Sequence, residues 1–149
     1  MKIIHEDTVF FEYEYLFEED LQRDIVNHVD TVFGERCIYF DVKKKMDNTI
    51  PDGYLIYVSE DGDVNLYFVV IRLSRYDIYS HITSRLQKYM VSYNNKEKIY
   101  CTLLEEMDED TLYKIRHLLH DTSFPDERKL IQSLIQDKLS ILVVCKIIN

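Results

Sequence analysis

Three groups of side chains in this sequence could do chemistry. Asp52 sits in Pro51-Asp52-Gly53, at the mouth of a hairpin, where a carboxylate also serves as an ordinary turn residue. His81, Arg85 and Lys88 follow i, i+4, i+7 spacing, which gathers them on one helix face. Such a row of cations could contact phosphate, or be merely solvated opposite the apolar stripe Ile78, Ile82, Leu86 and Tyr89. His117 and His120 stand three apart on a helix, which suits a metal pair, but no third ligand accompanies them. Phe10, Phe11, Tyr13 and Tyr15 could stack bases, or line the edge of a core. Cys37, Cys101 and Cys145 lack zinc-site spacing. No nucleophile elbow, Walker loop or dinucleotide fingerprint is present, and three glycines could hardly supply one.

The elements that must position these groups belong to one domain, residues 1–149. With 46% hydrophobic residues the chain can build a core, which excludes a disordered protein. Three Gly and two Pro exclude collagen-like and linker-like chains. No apolar run approaches the roughly 20 residues of a membrane helix. The N-terminus turns acidic directly after a short apolar start, unlike a signal peptide. An odd number of cysteines with no CxxC points to reduced thiols and a cytoplasmic protein. The formal charge is −9. Residues 1–35 carry two basic and ten acidic groups, 36–98 ten and eight, and 99–149 six and nine. Acidic proteins bind nucleic acid poorly, so only the middle third could present a basic surface.

Hydrophobic spacing predicts a helix over 17–33, with Phe17, Leu21, Ile25, Val29, Val32 and Phe33 recurring and Gly34 as the stop. A short strand follows at 37–42, then turn chemistry at 47–53, where Gly53 permits a tight bend. The run 54–58 reads as a strand buried on both faces, 59–65 as a hairpin loop and 66–73 as the second arm. Asp77 opens a helix to about Tyr93, as a simple N-cap by its position. Residues 98–106 are ambiguous between helix and strand. Helices are expected at 109–119 and after Pro125, and a buried strand at 139–148. This order predicts an α/β domain: a mixed central sheet flanked by helices, with a helical insert before the last strand. A strand reaching almost to Asn149 suggests a truncated gene or a trimmed chain.

Several of these segments together resemble the restriction-endonuclease-like, or PD-(D/E)XK, superfamily. They are FEEDLQRDI (17–25), Phe33-Gly34-Glu35, YFDVKKK (39–45), IPDGYLI (50–56), YFVVIRLS (67–74), YDIYSHI (76–82) and SILVVC (140–145). The likeness covers most of the chain, though each motif is short. It implies an αβββαβ core. In active members the hairpin Asp and an acid on the next strand hold Mg²⁺, and a Lys two residues on assists the attacking water. On this resemblance Asp52 is the metal ligand, and Glu19, or less favourably Glu18, an accessory carboxylate. It also brings Arg72, Arg75 and Lys43, Lys44 and Lys45 near the helix bearing His81, Arg85 and Lys88, as a surface for DNA or RNA.

This chain departs from that pattern where the chemistry would be done. The strand acid is replaced by Val70, and the Lys by Arg72, which cannot be deprotonated and makes a poor base. Tyr76 and Arg85 stand where a His and a Gln are expected. The foremost expectation is therefore a degenerate nuclease-fold domain, without metal-dependent cleavage and without a cofactor, that binds nucleic acid or a protein. A second is an active Mg²⁺-dependent nuclease with a migrated carboxylate, using Glu19, Asp52 and Asp77 beside Arg72. A third is a plain interaction domain, as a homodimer or with a protein partner. No membrane is involved in any of them.

Overall fold

The computed structural model describes residues 2–5, 8–11, 13–41, 52–74, 83–84, 86–87, 90–91, 94–119 and 126–147. A mixed four-stranded sheet forms its centre, in the order β3-β4-β5-β6. β3 (Cys37–Asp41), β4 (Gly53–Val58) and β5 (Val64–Ser74) run antiparallel in succession. β6 (Leu139–Ile147) then pairs with β5 in parallel, which requires a long crossover. That crossover includes α3 (Lys96–Glu106), α4 (Glu109–Leu118) and α5 (Glu127–Asp137). On the other side lie α1 (Glu18–Asn27) and α2 (Val29–Phe33). The described helices number five, and the class is α/β.

Two apolar layers cover the two faces of the sheet. Tyr54, Ile56, Leu66 and Phe68 point to one face and pack with Ile99, Leu103, Ile115, Leu130 and Ile131 of α3, α4 and α5. Their alternates Leu55, Val69 and Ile71 pack with Leu21 and Ile25 of α1. Alternation along a strand makes this division. The central pair β4–β5 is buried on both sides, as its unbroken apolar runs predict. Its loop turns at Gly62, whose φ of 85° lies in the left-handed region that glycine tolerates.

Several expectations are corrected here. The single helix over 17–33 is two, because His28 leaves helical geometry at φ −127° and ψ 36°. Phe17 and Val32, assigned to the apolar stripe, are exposed. Residues 2–5 and 8–11, for which no strand is expected from the sequence, pair as the antiparallel strands β1 (Lys2–His5) and β2 (Thr8–Phe11). The ambiguous stretch 98–106 belongs to α3, opened by Asn95, whose side chain accepts from the Lys98 N–H. β6 is half-exposed along 141–146 rather than buried, and it is the last strand of the sheet among the described residues. Gly53 is not needed for a left-handed bend. A Cβ there would meet the Tyr39 ring and the Phe40 carbonyl oxygen, so the close approach of β3 excludes a side chain. Within the helix expected at 77–93, the described residues 83–84, 86–87 and 90–91 are helical, and Met90 is exposed.

Candidate functional site

The β4–β5 ladder holds Asp52 in place. Its N–H donates to the Val69 carbonyl at 2.9 Å, continuing the pairing of Gly53 with Val69. That register carries Asp52 opposite Val70. Val70 is 2% exposed, so the position where the resemblance expects a second carboxylate is a dry apolar contact. β5 runs on to Arg72 and Leu73, beside the first turn of α1.

At that junction four side chains meet. Arg72 Nη1 lies 3.1 Å from Asp52 Oδ2 and 2.9 Å from Glu18 Oε1, and donates to the Ile71 carbonyl at 2.6 Å. The same Asp52 oxygen accepts the Ile71 N–H at 2.6 Å. Its other oxygen accepts Gln22 Nε2 at 2.9 Å. Glu18 Oε2 accepts the Leu73 N–H at 3.2 Å. The guanidinium is largely withdrawn from water, at 12% exposed, as is Asp52 at 15%, while Glu18 keeps 32%. One fixed cation thus bridges two carboxylates, and the β5 backbone binds both acids as well.

Burial pushes the Asp52 carboxyl above its ordinary range. The Ile71 N–H and the Arg72 charge pull the other way, and the Glu18 charge adds to the rise. Tyr39 nearby is raised by burial and then by Asp41 and Asp52. Cys145, the β6 residue beside Arg72, is raised by burial and by Glu18.

A hard divalent ion needs at least two free carboxylates together with open positions for water and phosphate. Glu18 and Asp52 are close enough to each other, but a guanidinium stands between them. A metal there would have to displace Arg72 from both acids and leave its charge buried beside the ion. Among the described residues, no three His, Cys, Asp or Glu side chains group as ligands. The described residues at this centre do not fit a metal ion.

Of the sequence-derived candidates, Asp52 and Arg72 come together. Glu19 is exposed, and it is its neighbour Glu18 that pairs with Arg72. Asp77 lies outside the described residues, as do Lys43, Lys44, Lys45, Arg75, His81, Arg85 and Lys88. His117 is exposed with its ring stacked on Tyr113, and its companion His120 is outside the described residues. Gln22 was missed. Its signal was the i, i+4 spacing from Glu18 on the face that buries Leu21 and Ile25. A cavity of about 400 Å³ between α3 and α5, lined by Tyr100, Cys101 and Gln132 among others, opens on the opposite side of the sheet and does not touch this centre. In comparisons with known families, curated proteins and solved structures, nothing matches this chain.

Proposed function

We propose that this chain is a degenerate PD-(D/E)XK-type domain that binds nucleic acid without cutting it, its metal exchanged for the Arg72 guanidinium. One observation carries the reading: Arg72 bridges Asp52, which the resemblance implies as the metal ligand, and Glu18, the less favoured of its two accessory carboxylates. The bridge neutralises part of their charge and offers no acidic water. Arg72 supplies no proton acceptor, and Val70 supplies no ligand. Such a centre ties α1 to β5 but cannot drive metal-assisted hydrolysis. Nucleic-acid binding rests on the resemblance and on the ten basic residues between 36 and 98. A cytoplasmic location rests on the cysteine pattern, and no described helix is long and apolar enough to cross a membrane.

The test is a calorimetric Mn²⁺ titration of the wild type and Asp52→Ala, followed by labelled single- and double-stranded DNA incubated with and without Mn²⁺. The expected result is no saturable Mn²⁺ site, a salt-sensitive anisotropy change with DNA, and intact DNA at the end. Mn²⁺ binding that disappears in Asp52→Ala, together with cleavage, would establish the active nuclease instead. An absence of DNA binding at low salt would leave a protein-interaction domain.

A further inference from the structure

The chain enters α1 through a segment whose side chains are sorted in an unusual way. Tyr15 turns inward: it packs on the α1 layer, and its hydroxyl donates to Asp24 Oδ2 at 2.9 Å. Tyr13 meets the Tyr15 ring edge-on, with centroids 4.9 Å apart. Tyr13 is nevertheless 64% exposed, Leu16 69% and Phe17 64%. The three fall within five consecutive residues, so no more than about 15 Å separates their Cα atoms. Their charged neighbours in the chain are all acidic. Residues 6–22 hold seven Asp and Glu and neither Lys nor Arg, and Glu14 and Glu19, which flank the apolar residues in the chain, are exposed. Acids in a first turn suit the helix dipole, which accounts for Glu18, Glu19 and Asp20. It accounts neither for Glu14 nor for three large apolar side chains held out in water.

We propose that Tyr13, Leu16 and Phe17 form a docking surface for a basic amphipathic helix of a partner protein, with Glu14 and Glu19 pairing its Lys or Arg side chains. Charge complementarity selects this occupant. Phosphate chains and anionic lipid surfaces are repelled by seven acids with no base among them. A second copy set about a two-fold axis would bring the same acids face to face. A partner helix with Lys or Arg beside an apolar stripe meets the rings with its stripe and the acids with its cations. A span of about 15 Å matches roughly ten residues of helix at 1.5 Å each, so about three turns cover it. The bond from Tyr15 to Asp24 fixes the segment before the partner arrives, which lowers the ordering cost of binding. Aromatic rings are among the side chains that most often anchor such contacts. The inference does not rest on the nucleic-acid reading.

The test is fluorescence anisotropy of a labelled Lys/Leu amphipathic peptide of about four helical turns, titrated with the full chain. Saturable binding is expected, weakened by added salt. Leu16→Ser combined with Phe17→Ser should weaken it by about tenfold or more. Phe17 is the N-cap of α1 and makes no side-chain cap bond, so serine there favours the helix and the variant folds. Glu14→Gln combined with Glu19→Gln should weaken binding and flatten its salt dependence. A Glu/Leu peptide of the same pattern, and a Lys/Ser peptide without the apolar stripe, should not saturate. Equal affinity of the wild type and the double-serine variant overturns the proposal, since a general attraction to the acidic chain would then be responsible. So does a Lys/Leu peptide that fails to bind, or a Glu/Leu peptide that binds equally well. Self-association of the wild type that the two serines abolish would give the surface to a second copy, and overturns it too.

Discussion

At the scale of single residues, the centre around Arg72 shows how an ion pair can be well formed and still carry an energetic penalty. Asp52 accepts three hydrogen bonds, from Gln22, Ile71 and Arg72, yet its carboxyl is pushed up because desolvation outweighs them. The sign of the pH dependence follows. An unfolded Asp gives up its proton near pH 4, whereas native Asp52 holds it to a higher pH. The native state therefore binds the extra proton in that window, and stability is lost as the pH rises through it. Asp52→Asn has no such titration and retains an oxygen for the Ile71 N–H. Urea midpoints measured from about pH 4 upward should fall in the wild type relative to Asp52→Asn. The gap should level off once the native carboxyl has ionised. A gap that narrows with rising pH would show that the Arg72 pair, rather than burial, dominates.

Elements are placed by close approaches that no single residue reveals. α1 is held to the sheet at two levels: Leu21 and Ile25 pack with Val69 and Ile71, while Glu18 accepts from Leu73 at the end of β5 and Gln22 donates to Asp52 just before β4. β3 lies against β4 so tightly that Gly53 has no room for a methyl group. Gly53→Ala would press a Cβ on the Tyr39 ring and lie 2.9 Å from the Phe40 carbonyl oxygen. Overpacking of this kind costs about 1–3 kcal/mol. A drop of that size in urea unfolding free energy is expected, and Gly62→Ala cannot serve as its control, because strain there comes from a positive φ. Gly53→Ala at wild-type stability would mean that Tyr39 swings aside freely. Helix ends are secured separately, with Asp108 and Asp126 each accepting an N–H of the first turn.

For the molecule as a whole, one sheet joins two apolar layers, so the layers should melt together. Ile131 is fully buried in the α5 side and Tyr15 packs on the α1 side, on opposite faces of the sheet. Ile131→Ala removes buried methyl groups and is expected to cost about 2–5 kcal/mol. Far-UV circular dichroism and tyrosine emission should shift by the same amount in urea, with an unchanged slope. Separate transitions by the two probes would mean that unfolding is not all-or-none. The charge distribution acts at this scale too. Residues 1–35, with ten acids against two basic groups, repel phosphate, so any nucleic acid is expected to approach from residues 36–98.

Local pattern was enough for much of this architecture. Apolar runs bounded by Pro-Asp-Gly and Asp-Gly determined the β4–β5 hairpin, because turn chemistry and strand periodicity act over neighbouring residues. The hairpin in turn determined that Asp52 lies across from Val70, since antiparallel register propagates from the loop. The same pattern already favoured Glu18 over Glu19: residues 18, 21, 22 and 25 share one helical face, and the expectation of Glu19 overlooked it. Tertiary structure alone decided what that face touches. Arg72 lies 54 positions from Glu18 and 20 from Asp52, and only the docking of α1 on β5 brings the three within hydrogen-bond reach. Sheet position was likewise invisible. An apolar strand reads the same at a centre or at an edge, and only the strand order put β6 last in the sheet among the described residues.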